Sequence, residues 1–117
     1  MARILIADDE GAIRTLLKTV LLSAGHSVYE AANGLEAVAV FRSYAGKIDL
    51  VVIDMTMPVM NGAQAIERIR ETRPDVPVIC MSGYSDREIP PGPFLQKPFH
   101  MKTAVDLVTK VLERRLP

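Results

Sequence analysis

One cysteine, two histidines and no excess of either charge in 117 residues exclude several functions at the outset. Cys80 stands alone and cannot form an internal disulfide; in the apolar run VPVICM it is expected to be a buried, reduced thiol. Fourteen basic residues balance 14 acidic ones, so no broad field draws the chain to nucleic acid or to a membrane surface. No apolar stretch approaches the ~18 residues of a membrane span, and the first residues lack a signal-peptide pattern. A soluble, cytoplasmic protein is therefore expected. Neither GxGxxG nor GxxxxGK occurs, which removes the usual phosphate-cradling loops of nucleotide binders. Repeats, linkers and low-complexity tracts are also missing. Hydrophobic residues make up 49% and charged ones 24%, a globular balance, and the length suits one domain spanning 1–117 with a single closed core.

What is present is a regular alternation of apolar periods. RILIAD reads as a buried strand, and Ile13, Leu16, Leu17, Val20 and Leu21 then follow the i, i+3, i+4, i+7, i+8 spacing of one helix face. Gly25 stands where a helix C-cap glycine belongs. SVYEA (27–31) is a short strand, broken by Asn33-Gly34 before a helix over roughly 35–44. IDLVVID (48–54) is the most apolar strand, and Gly62 to about Arg73 is a helix stopped by Pro74. VPVICMS (76–82) and PFLQ (93–96) give two more strands. A last helix carries Ala104, Leu107, Val108, Val111 and Leu112 on one face. Strands that are apolar throughout and alternate with helices imply a parallel sheet covered on both sides, an α/β fold.

In open sheets of this kind, ligands bind beyond the carboxyl ends of the strands. Asp8 and Asp9 end the first strand, Asp54 the third and Ser82 the fourth, while Lys97 follows the fifth. All of them would emerge along one rim. Three carboxylates there repel one another unless a cation sits among them. All-oxygen ligation suits Mg²⁺ better than zinc, because His26 and His100 fall elsewhere and no second cysteine exists. The ion could merely neutralise the acids, or it could hold a phosphoryl group against Asp54 as a carboxylate nucleophile. In the second case Lys97 would supply a further positive charge and Ser82 a hydroxyl.

These residues also fall into a pattern that resembles the response-regulator receiver domain of two-component signalling, free-standing or fused to a hybrid sensor kinase. ADDE follows the first strand; VVIDMTMPVMNG is similar to the phosphorylation-site loop; MSGYS carries the hydroxyl and FLQKPF the lysine. The resemblance spans essentially the whole chain. It implies a flavodoxin-like, three-layer fold with five parallel strands in the order 2-1-3-4-5. It makes Asp54 the phosphoacceptor and Mg²⁺ (or Mn²⁺) the cofactor, bound directly by Asp9, mostly through water by Asp8, and by Asp54 and the backbone carbonyl of Thr56. Ser82 and Phe94 become the switch pair, Lys97 the phosphoryl counter-charge, and Lys97–Pro98 a cis bond. The implied partners are a sensor histidine kinase or phosphotransfer protein and an unidentified downstream protein. Direct nucleic-acid binding and membrane binding are not expected, and the chain would be a monomer or weak homodimer. Glu10 reads only as an acid at a helix start.

One segment departs from the pattern. Where a receiver carries a full fourth helix, residues 83–93 read GYSDREIPPGP. Ser85 and Glu88 have capping-box spacing, but Pro90 and Pro91 forbid more than one turn, so this helix is expected to be shortened or absent. Two alternatives stand beside this reading: a pseudo-receiver that has the fold but is never phosphorylated, and a small Mg²⁺-dependent aspartyl phosphohydrolase, whose Asp-x-Asp-x-Thr pattern VVIDMTMP begins to resemble. The latter needs a second acid where Thr56 stands, so the chain is expected not to be an enzyme beyond its own phosphorylation and dephosphorylation.

Overall fold

A computed structural model describes residues 1–44, 46–83 and 91–114. Strands and helices alternate through β1 (Arg3–Ala7), α1 (Gly11–Ser23), β2 (Ser27–Ala31), α2 (Gly34–Ser43), β3 (Leu50–Asp54), α3 (Gly62–Thr72), β4 (Val78–Ser82), β5 (Phe94–Gln96) and α4 (Met101–Arg114). The strands form one five-stranded sheet in the order β2-β1-β3-β4-β5, and every pairing is parallel. This is the flavodoxin-like topology expected from the sequence.

The pleat divides the apolar runs between two cores. Ile4, Ile6, Val52, Ile79 and Met81 face α1 and α4, where Leu17, Leu21, Ala104 and Val108 close over them. Leu5, Ala7, Val51, Ile53 and Cys80 face α2 and α3 and meet Ala37, Phe41, Ala65 and Ile69. Because both faces are covered, β3 and β4 are buried along their whole lengths. Cys80 is a buried free thiol whose pKa burial pushes up. Leu16 departs from the expected helix face: it is half-exposed, because the buried stripe of α1 narrows to Leu17 and Leu21.

Element ends follow local chemistry. The expected strands at 48–54 and 76–82 begin two residues later, at Leu50 and Val78. Pro77 lacks an N–H and so cannot donate to the ladder, although its carbonyl still accepts from the Val51 N–H. Helix α1 ends on Gly25 with φ +94°; the His26 N–H bonds the Leu21 carbonyl and the Gly25 N–H the Leu22 carbonyl, a Schellman closure. Asn61 caps α3 by accepting from the Gln64 N–H at 2.9 Å, and the Gln64 side chain returns the bond to the Asn61 N–H at 3.1 Å. Arg73, before Pro74, is extended and ends that helix.

Between β4 and β5 the described residues, Gly83 and 91–93, are not helical. The single turn expected at Ser85–Glu88 lies outside the described residues.

Candidate functional site

The carboxyl ends of β1, β3 and β4 and the segment after β5 surround an open cleft of about 450 Å³, lined by Asp9, Glu10, Asp54, Thr56, Gly83 and Lys97. Register explains the convergence. Parallel pairing sets Ala7 beside Ile53 and Ile53 beside Cys80, so the polar residues that follow each strand reach the same rim.

Asp54 ends β3 and is only 4% exposed. Its Oδ1 accepts the Thr56 N–H at 2.9 Å and its Oδ2 accepts from Lys97 Nζ at 2.9 Å. Gly62 lets the next helix approach this point: a Cβ there would lie 2.4 Å from the Asp54 carbonyl oxygen. Asp8 is fully buried; its Oδ1 accepts the Glu10 N–H at 2.9 Å and its Oδ2 lies 2.7 Å from Lys97 Nζ. Despite that ion contact, Asp8 Oδ2 accepts no hydrogen bond of regular geometry among the described residues. Lys97 Nζ also bonds Glu10 Oε1 at 3.0 Å.

One ammonium therefore faces three carboxylates, those of Asp8, Glu10 and Asp54. Burial raises the Asp8 carboxyl above its ordinary range, and the Lys97 ammonium and Glu10 N–H pull it back without cancelling that rise. Burial would push the Lys97 ammonium down, but its ion contacts with Asp8, Asp54 and Glu10 outweigh burial and drive it up. Lys97 is thus a fixed cation, and among the described residues it is the one ammonium shared by these three carboxylates.

A divalent cation fits this arrangement. Carboxylate oxygens of Asp8, Glu10 and Asp54 lie within 4.8 Å of one another, and one of these carboxylates carries the buried, incompletely bonded Asp8 Oδ2. The donors are all oxygen, which suits Mg²⁺ or Mn²⁺.

The structure brings Asp8, Asp9, Asp54, Thr56 and Lys97 to one place. Asp9 lines the cleft from its exposed side, whereas Glu10 joins the oxygen cluster. Ser82 ends β4 with its carbonyl accepting the Lys97 N–H at 2.8 Å, and Gly83 forms the cleft wall there. Phe94 is half-buried on β5 and packs against the core facing α2 and α3. The Lys97–Pro98 bond is cis. Glu10 is the residue that the sequence reading underrated. The signal was the third consecutive acid, which a helix start alone does not require.

Comparison with known proteins gives the same picture. The family model described as "Response regulator receiver domain" matches residues 4–111. The chain is 36% identical over 121 residues to the sensor kinase CckA of Brucella abortus (strain 2308), covering 97% of this chain but only 13% of that protein. It is 37% identical over 117 residues to the chemotaxis protein CheY of Thermotoga maritima, covering 93% of this chain and 96% of the relative. Among solved structures, that of the response regulator protein TrrA from Thermotoga maritima, in complex with Mg²⁺-BeF, superposes with a TM-score of 0.84 at 34% identity, covering 95% of this chain and 99% of the other.

Proposed function

This chain belongs to the response regulator receiver domain family, and we propose that it works as a phosphorelay receiver by taking a phosphoryl group onto Asp54 from a histidine kinase or phosphotransfer protein. The observation that carries this reading is the seat of Asp54. Its buried carboxylate at the end of β3 is oriented by the Thr56 N–H and Lys97 Nζ and opens on a cleft large enough for a phosphoryl group. In the transfer, an Asp54 oxygen forms the new P–O bond while the P–N bond to the donor imidazole breaks, and the donor leaves as free imidazole.

Each surrounding group has a task. Mg²⁺ or Mn²⁺, bound by Asp8, Asp9, Asp54 and the Thr56 carbonyl, would supply charge neutralisation for the phosphoryl oxygens. Glu10 adds a further carboxylate close to these ligands. Lys97 offers a second positive charge that its contacts with Asp8, Asp54 and Glu10 keep protonated against the opposing effect of burial. Ser82 contributes a hydroxyl at the end of β4, and Phe94 on the adjacent strand is the side chain whose packing would respond. Phosphorylation adds charge and acceptor oxygens, which is the physical input to a two-state switch. The chain serves as a signalling module whose chemistry is confined to its own acceptor.

Intact-protein mass after incubation with acetyl phosphate, with and without Mg²⁺, tests this on wild type and Asp54→Asn. A phosphoryl adduct that needs Mg²⁺ and vanishes in the variant is the expected result. Mg²⁺ binding without any adduct would instead identify an interaction module that shares the fold.

A further inference from the structure

Glu10 occupies the N-cap of α1 with extended backbone, yet its side chain makes no capping bond. Short side chains are the ones that cap helices well, so glutamate is poorly suited to this position as a cap. Its backbone is nevertheless fixed: the N–H is held by Asp8 Oδ1, and the carbonyl accepts from the Ile13 and Arg14 N–H groups. The carboxylate reaches across the cleft to Lys97 Nζ at 3.0 Å. Of the three acids on that ammonium, Asp8 and Asp54 are buried, whereas the Glu10 side chain is 60% exposed. Glu10 is the one that can swing into water without leaving a charge buried. Lys97 has little freedom to move instead, because its N–H is tied to the Ser82 carbonyl at 2.8 Å and its side chain is 14% exposed.

We infer that Glu10 is a positioning residue that latches Lys97: it holds the ammonium while Asp54 is unmodified and must let go before a phosphoryl oxygen can take its place. This rests on the phosphoacceptor reading of Asp54 and adds a competitor to it. The latch keeps Lys97 aimed across the cleft in the resting state. It also weakens the hold on any tetrahedral anion by the strength of one partly exposed ion pair.

Beryllofluoride, titrated into the whole chain at saturating Mg²⁺ and followed by ¹H–¹⁵N NMR of the cleft residues, tests the inference. Wild type, Glu10→Gln and Glu10→Asp are compared, with Mg²⁺ saturation checked for each by its own titration. Glu10→Asp keeps the charge and improves the cap but is one methylene too short for the contact. Both variants are expected to bind the mimic about two- to fivefold more tightly than wild type, the range of such a pair. A gain in Glu10→Gln alone would make the effect one of net charge and overturn the latch, as would no gain in either. If wild type binds Mg²⁺ but not beryllofluoride, the phosphoacceptor reading falls and the latch with it, a result distinct from binding that the variants leave unchanged.

Discussion

Replacing Lys97 by methionine removes one ammonium and strands the acids it serves. In the native protein that ammonium lies 2.7 Å from Asp8, 2.9 Å from Asp54 and 3.0 Å from Glu10. The Glu10 pair, half in water, is worth only about 0.2–1 kcal/mol. The other two weigh more, because Asp8 is fully buried and Asp54 nearly so. Removing one partner of a buried pair costs about 3–5 kcal/mol. Protonation sets a ceiling of similar size: neutralising one carboxyl at pH 7, about three units above its ordinary range, costs about 4 kcal/mol. The expected loss in EDTA at pH 7 is therefore about 3–5 kcal/mol, a shift of roughly 2 M in urea midpoint at an m-value near 2 kcal/mol/M. Two controls follow from the same cause. Mg²⁺ should shrink the deficit, because a cation among the acids replaces the missing ammonium. Acid should shrink it too: the Asp8 carboxyl is already raised, so the folded variant binds more protons than the unfolded chain. The stability held by the protonated form is full below the unfolded pKa and is lost as pH rises through the folded one. Urea unfolding by circular dichroism at pH 7 and pH 5, with EDTA or Mg²⁺, reads all of this. A deficit below about 1 kcal/mol in EDTA, or one that neither Mg²⁺ nor acid reduces, refutes the claim that Lys97 neutralises buried acids.

Three further outcomes are expected. Val59 is 76% exposed and holds φ +70°, a left-handed conformation that costs a β-branched side chain about 1–3 kcal/mol. Val59→Gly should therefore raise the urea midpoint by an amount equivalent to about 1 kcal/mol, net of glycine's added entropy in the unfolded chain, with an unchanged slope; a midpoint at or below that of wild type would contradict the strain. Gly62→Ala would place a Cβ 2.4 Å from the Asp54 carbonyl oxygen and 2.7 Å from Met55 Cα, both backbone atoms, so a loss of about 3 kcal/mol is expected in the same assay; wild-type stability would contradict the close approach. His26 accepts the Ala2 N–H on Nδ1 at 3.1 Å, and burial lowers its pKa. Its contribution should be complete above about pH 6.5 and lost as pH falls through the folded value, a step that His26→Gln, whose amide oxygen can take the same bond without titrating, should lack.

Much of this was legible in one dimension because burial on both faces leaves a plain record. A strand covered on both sides must be apolar throughout, so β1, β3 and β4 announce themselves, and their alternation with helices leaves little room for another topology. Polar residues placed directly after such strands have nowhere to go but the rim, which is why chain order alone groups Asp8, Asp54 and Lys97. Strand starts were less legible. Pro77 and Pro93 sit inside apolar runs but cannot donate to a ladder, and only the pairing shows where the hydrogen bonds begin.

The sequence by itself thus determined the class of fold, the strand order through its family resemblance, and the set of acids and lysine at one rim, because period and chain order are one-dimensional properties. The tertiary structure alone decided how the charges are shared. Glu10 reads as a helix start along the chain; only the fold, which sets the start of α1 across from the segment after β5, brings its carboxylate to Lys97 across 87 residues. It also decided that Leu16 faces out and that Gly62 touches the Asp54 backbone. Such facts depend on distances between segments remote in sequence, and no local pattern encodes those distances.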